Sequence, residues 1–154
     1  MNLAKLNRIL NELDYRYNIN SGGCCFVACC LMHHFRNLGI KYKLVVLSED
    51  YISSQTLRSN IRYNEGYCTN CETANHYFIE VYGVSVNRGD FNLESYSVSK
   101  ATYVSPEELY DVYKSGSWNS DYDKYYNKEV FREVSKFFKP YEEKKKEGTS
   151  SSEL

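Results

Sequence analysis

The sequence contains no apolar run of membrane length and no basic segment leading into an apolar one near residue 1. We therefore expect neither a membrane partner nor a secretory signal. Charge of one sign is also lacking, because the net charge is −1 at pH 7 and the pI is about 6.3. A nucleic-acid partner is not expected either, since such proteins usually carry a basic surface. No internal repeat is present.

The composition is that of a globular domain. The chain has 154 residues, of which 42% are hydrophobic, enough for one domain with a core. Six cysteines are present, but four of them form the adjacent pairs Cys24-Cys25 and Cys29-Cys30. Adjacent cysteines in one helix cannot easily bridge each other, so we expect reduced thiols and a cytoplasmic protein. No cofactor is expected.

Periodicity predicts an α+β domain over residues 1–140, with a disordered polar tail at 141–154. Helices are expected to flank a small antiparallel sheet. The predicted helices are 2–17, 24–38, 106–115 and 127–139, and the predicted strands are 42–48, 76–81, 84–87 and 96–104. The third of these helices has a capping box, because Ser105 precedes Pro106 and is followed three residues later by Glu108.

The first candidate site residue is Cys24, which follows Gly22-Gly23 where a helix is predicted to begin. The positive end of the helix dipole favours the thiolate, which is the nucleophilic form of cysteine. The two glycines allow a sharp turn and a close approach of substrate. Cys25 is the alternative nucleophile, because neighbours on a helix point about 100° apart and only one of them can face a base. Alternatively, both are small buried core residues.

The second candidate is His76, at the start of a predicted hairpin that turns at Tyr82-Gly83. In that register Phe78 lies opposite Asn87, so His76 is a diagonal neighbour of Asn87, within side-chain reach. A hydrogen bond from Asn87 would orient the imidazole and leave its other nitrogen facing the thiol. Alternatively, His76 is an ordinary strand residue and Asn87 a turn residue, with Asp90 as the alternative third member of the site.

Two other groups of residues have the chemistry of a site. Cys68 and Cys71 have the CxxC spacing of a zinc site, but a structural zinc site needs four ligands, so the signal is weak. His33 and His34 follow Cys24 by about three helical turns, too far to act on it. Both are expected to be solvated or hydrogen-bonded core histidines.

The order Gly23-Cys24-x-x-x-Ala28, then Leu38-Gly39-Ile40, then His76, then Asn87, resembles the papain-like and transglutaminase-like superfamily of cysteine enzymes. The similarity covers about residues 18–90. It is greatest to small phage and bacterial proteins that have an N-x-G-G-C-x-x-x-A start. The resemblance implies a papain-like core in which the nucleophile helix packs on a small antiparallel sheet.

The resemblance also implies a function. Cys24 would be the nucleophile, His76 the base and Asn87 the orienting residue of a cysteine peptidase-like hydrolase that acts on an amide or isopeptide bond. Asn20 would offer its amide to the oxyanion. The substrate would be a peptide or protein, in the host cytoplasm or a virion if the chain is phage-encoded. Transglutaminase-type transfer to an amine and an inactive phage structural or interaction protein are the alternatives.

Overall fold

The computed structural model describes residues 1–20, 23–49, 75–102, 104–115 and 123–148. These residues form four α-helices and four strands, so the α+β class is confirmed. In chain order the elements are α1 (Leu3–Tyr17), α2 (Cys24–Asn37), β1 (Lys43–Ser48), β2 (His76–Val81), β3 (Val84–Val86), β4 (Ser97–Ala101), α3 (Pro106–Ser115) and α4 (Asp123–Lys146). None of the described helices is long and apolar enough to span a membrane.

The four strands form one antiparallel sheet in the order β3-β2-β1-β4. In the β2–β3 hairpin, Val81 lies opposite Val84 and Ile79 opposite Val86, which confirms the predicted register. Tyr82 and Gly83 make the turn with φ values of 53° and 74°. Two consecutive positive φ values match the twist of the flanking strands and join them in a tight hairpin.

The two faces of the sheet bury different clusters. One face adds Leu44, Val46, Tyr77 and Ile79 to the main core, which also contains buried residues of all four helices. The other face carries the smaller cluster of Val45, Leu47 and Phe78, covered by Phe91, Leu93 and Tyr96. Successive residues of a strand point to opposite faces, so His76 shares the face of Phe78, and its ring centroid lies 5.8 Å from that of Phe78.

The starts of α2 and α3 agree with the sequence. Helix α2 begins at Cys24, and its N-cap Gly23 makes no side-chain capping bond. In α3, the Glu108 N–H donates to Ser105 Oγ over 3.1 Å, which is one half of the predicted capping box. The nucleophile candidate therefore stands in the first turn of a helix, as predicted.

The bounds of the last helix differ from the prediction. Helix α4 begins at Asp123 rather than Asn127, and it continues through Pro140 to Lys146. An interior proline costs about 3 kcal/mol, but contacts on both sides of Pro140 oppose that cost. The Tyr141 ring packs 5.5 Å from Phe137, and Lys145 Nζ donates to the Asn37 carbonyl over 2.9 Å. Residues 141–146 are thus helical rather than part of a disordered tail, and residues 149–154 lie outside the described part of the chain.

Candidate active site

Cys24 is brought to the start of β2 by the packing of α2 on the sheet. The Cys24 thiol hydrogen-bonds to the backbone of Tyr77, the residue after His76. Gly23, just before the thiol, packs closely on the preceding loop because it lacks a side chain: a Cβ there would lie 2.9 Å from the Ile19 carbonyl oxygen. Its φ of −102° is accessible to any residue. The requirement for glycine at 23 is therefore steric and does not come from an unusual backbone conformation.

The protonation state of Cys24 differs from the sequence expectation. Burial raises the pKa of its thiol to about 12, and the hydrogen bond to the Tyr77 backbone offsets only part of that rise. Backbone groups at the helix start also lower this pKa, as predicted, but by less than burial raises it. The expected thiolate is therefore wrong for this form of the protein, in which Cys24 is a neutral thiol at pH 7.

Cys25 points into the core, as the choice of Cys24 implied. It is fully buried, and its pKa is raised by burial and by the neighbouring Cys29 side chain. Both cysteines belong to the main core, and Cys24 is the one whose thiol hydrogen-bonds to the backbone of Tyr77.

His76 is fully buried, and its ring lies parallel to the Phe91 ring at a centroid distance of 4.2 Å. Nε2 lies 2.8 Å from the backbone carbonyl oxygen of Asn87. A carbonyl can only accept, so Nε2 carries the proton, and Nδ1 of the neutral ring carries the lone pair. Nδ1 is buried and has no hydrogen-bond partner in the described residues.

The predicted His76–Asn87 contact is present, but a different atom of Asn87 makes it. The backbone carbonyl binds the ring, whereas the side-chain Nδ2 donates to Asn20 Oδ1 over 3.1 Å. Asn87 adopts a φ of 67°, in the left-handed region that asparagine tolerates better than most residues. Asn87 is therefore a turn residue that also orients the His76 ring. Each of the two roles that the sequence suggested for Asn87 is present, the orienting role through its backbone carbonyl.

Within the described residues Nδ1 makes no hydrogen bond, so the ring nitrogen that was expected to face the Cys24 thiol is not bonded to it. Strand alternation explains this difference: Tyr77 faces the main core that includes Cys24, and its neighbour His76 faces the opposite side of the sheet. Burial lowers the pKa of His76, while the Asn87 carbonyl and the charge of Asp14 act in the opposite direction. The ring is therefore neutral at pH 7 and able to accept a proton.

Asn20, the oxyanion candidate, joins the loop before Cys24 to this hairpin end. Its Oδ1 accepts from Asn87, and its backbone N–H donates to Asp14 Oδ1 over 2.9 Å. Its Nδ2 lies against Gly89, where an added Cβ would be 3.0 Å away. The oxyanion role of Asn20 stays a prediction.

A cleft of about 380 Å³ opens beside the ring that covers His76. The alternative third residue, Asp90, lines this cleft, whereas the His76 ring is bound by the Asn87 carbonyl. Asp14, Asn20, Phe91 and Tyr96 are also among its lining residues.

Cys68 and Cys71 lie outside the described residues, so the zinc hypothesis stays a prediction. Within the described ranges, no three metal-binding side chains lie close enough together to hold an ion.

Two residues of α1 belong to the site but were not predicted from the sequence. Asn7 Oδ1 accepts the Asn87 N–H over 2.9 Å, and Asp14 binds the Asn20 backbone. In the sequence both look like ordinary polar positions of an amphipathic helix. Asn7 and its partner Asn87 are 80 residues apart in the sequence, and Asp14 and its partner Asn20 are 6 apart. The contact between Asn7 and Asn87 can be found only from the way α1 packs on the sheet.

Compared with known proteins, the chain matches no family model, no curated protein and no solved structure. The resemblance to papain-like enzymes therefore depends on the motif residues and their spacing.

Proposed function

We propose that this protein is a papain-like thiol hydrolase that acts on an amide or isopeptide bond, with Cys24 as the nucleophile and His76 as the base. One observation carries the proposal. The buried His76 ring presents at Nδ1 a lone pair that has no partner in the described part of the chain, and the next residue, Tyr77, binds the Cys24 thiol. A neutral imidazole and a thiol on adjacent elements are the two groups that acyl transfer from an amide needs.

In the proposed reaction, the Cys24 proton moves to His76 Nδ1 as the sulfur attacks the amide carbon. The C–N bond then breaks, and Nδ1–H gives its proton to the leaving amine, which leaves an acyl group on sulfur. Water releases the acid in a hydrolase, and an amine as acceptor would make the protein an acyltransferase. The resting thiol is neutral, so the attack needs a base. Because the His76 ring faces the other side of the sheet, it must turn at the start of β2 to bring Nδ1 to the sulfur.

A non-catalytic protein that keeps this fold is the second candidate. Two observations favour it: burial raises the pKa of Cys24 to about 12, and no hydrogen bond joins Cys24 to His76. A phage structural or interaction protein needs neither a reactive thiol nor a bond between Cys24 and His76, so both features are compatible with it. Thiol reactivity separates the two functions, because only the first requires assistance from the ring.

The test is alkylation with iodoacetamide at pH 7.5, followed by peptide mapping. We expect Cys24 to react faster than Cys25, Cys29 and Cys30, and Cys24→Ser to remove the fast phase. Cys25→Ser is the matched control, since it alters the adjacent thiol on the same turn and should leave the fast phase in place. A fast phase that is lost with Cys25 would reverse the assignment, and uniformly slow thiols would favour the non-catalytic protein.

A further inference from the structure

The side chain of Asn7 on α1 binds the outer edge of the sheet beside Val86. Its Nδ2 donates to the Ser85 carbonyl over 2.9 Å, and its Oδ1 accepts the Asn87 N–H over 2.9 Å. Those two backbone groups flank Val86 on one side of β3, which is an edge strand. The Asn7 amide therefore occupies the place that a further strand would take, and it satisfies both backbone groups.

The same contact acts on His76 through Asn87. Asn87 has a φ of 67°, and its carbonyl receives the Nε2 proton of the ring. The peptide N–H and the carbonyl belong to one residue, so holding the N–H limits the directions in which the carbonyl can point. Removing the Asn7 bond would leave Asn87 held by its side chain to Asn20 and by the ring itself.

We propose that Asn7 is a positioning residue for the base: it holds Asn87 so that the Asn87 carbonyl keeps the ring proton on Nε2 and the lone pair on Nδ1. This inference rests on the proposed function, because a lone pair at Nδ1 matters only if His76 accepts a proton. Both side-chain hydrogen bonds of Asn7 are to backbone groups of residues 85 and 87. Its effect on reactivity passes through Asn87 alone.

A purely structural role for Asn7 gives a different expectation. If Asn7 only joined α1 to the edge of the sheet, its loss would lower the melting temperature and leave the ring protonation unchanged. The protonation site of each ring nitrogen is visible in ¹⁵N NMR spectra, because protonated and unprotonated nitrogens have well-separated chemical shifts. The tautomer is thus a measurement that a structural role does not alter.

The experiment compares the His76 ring nitrogens in the wild-type protein and in Asn7→Ala, at a pH where the ring is neutral. In the wild type we expect a protonated Nε2 and an unprotonated Nδ1. In Asn7→Ala the two shifts should move toward each other, as the second tautomer becomes populated. The matched control is Asn11→Ala, an exposed asparagine one turn later on the same helix, which should leave the shifts unchanged.

Asn7→Asp is the conservative variant, since it keeps an oxygen acceptor for the Asn87 N–H and loses the donor to Ser85. We expect it to retain the wild-type ring shifts. Unchanged shifts in Asn7→Ala would overturn the proposal. If Asn7→Ala does not fold, hydrogen exchange of the Asn87 amide in the wild type decides the matter, because the proposal requires that amide to be protected and rapid exchange would refute it.

These outcomes separate the inference from the proposed function. Slow alkylation of Cys24 together with an Asn7-dependent tautomer would refute the hydrolase and retain the positioning contact. Fast alkylation of Cys24 together with a tautomer that is independent of Asn7 would do the opposite.

Discussion

His34 and His76 are both buried, and each ring stacks on a phenylalanine, yet their nitrogens are used differently. His34 Nδ1 lies 2.5 Å from Glu142 Oε1, and its Nε2 lies 3.0 Å from Ser135 Oγ. The carboxylate only accepts, so in the neutral ring Nδ1 carries the proton and Nε2 accepts from the hydroxyl. His76 has the opposite tautomer, and its Nδ1 has no partner among the residues that the structure describes.

This contrast distinguishes a structural histidine from a candidate base. The hydrogen bonds of His34 join α2 to α4, and both partners lie on one helix. They satisfy the ring completely, as expected for a buried polar group in a core. His34 was expected to be a satisfied or solvated residue, and its two bonds confirm the first of these. The unpaired Nδ1 of His76 costs stability, and a group that must accept a proton is one explanation for retaining it.

Replacing each histidine in turn should have the largest effect. We expect His76→Gln to slow alkylation of Cys24 by about 10²-fold, the lower end of what a positioned general base contributes. His34→Gln should leave that rate unchanged and lower the free energy of unfolding by about 1–3 kcal/mol, because Glu142 and Ser135 lose a buried partner. Rates of modification and urea denaturation, measured on the same samples, check both.

The opposite pattern would reverse the assignment of roles. If the alkylation rate of Cys24 falls in His34→Gln and is unchanged in His76→Gln, His76 is an ordinary strand residue. The sequence allowed that alternative.

The prediction from the sequence was accurate where local pattern decides the structure. The Tyr82-Gly83 turn fixed the hairpin register, so His76 and Asn87 were correctly predicted to meet. Gly23-Cys24 correctly marked the start of α2. These features depend on residues that are close in the sequence, for which period and turn chemistry are sufficient.

The errors concern burial and packing between distant elements. The pKa of Cys24 depends on how completely α2 is covered by the rest of the chain, and no local pattern encodes that. The contact of Asn7 with Asn87 requires the position of α1 against the sheet edge. The choice of the Asn87 carbonyl over its side chain depends on a φ of 67°, which side-chain spacing alone does not predict.

A smaller effect is expected at Asn87, where the backbone and side-chain roles can be separated. Asn87→Gly keeps the carbonyl and accepts a positive φ, so the Cys24 rate should stay within about threefold of wild type, a difference of less than about 1 kcal/mol. Asn87→Ala removes the side-chain amide, which binds Asn20 and makes the left-handed conformation tolerable for asparagine, so it should lower the free energy of unfolding by about 1–2 kcal/mol. Melting temperature and alkylation rate, taken together, distinguish the variants.

If Asn87→Gly instead slows alkylation as strongly as His76→Gln, the side chain and not the carbonyl would orient the ring. Asn87 would then act through its side chain as the third residue of the triad, as the sequence predicted.

The smallest effect concerns pH and compares the two histidines once more. Burial lowers the pKa of both rings below the usual 6.5, with Glu142 opposing the shift at His34 and Asp14 opposing it at His76. Just below pH 6.5 the folded protein therefore binds fewer protons than the unfolded chain. The stability that depends on each neutral ring is fully present above pH 6.5, and it is lost as the pH falls from 6.5 to the lower pKa of the folded state.

The Cys24 rate should fall over the same window, because a protonated His76 has no lone pair at Nδ1, and its midpoint should lie below pH 6.5. Asp14→Asn keeps an oxygen acceptor for the Asn20 N–H and removes the charge, so it should move the midpoint further down. Glu142→Gln, the matched change beside His34, should leave the rate profile in place and alter only the acid limb of stability. A midpoint that follows Glu142 rather than Asp14 would show that His34, and not His76, controls the thiol.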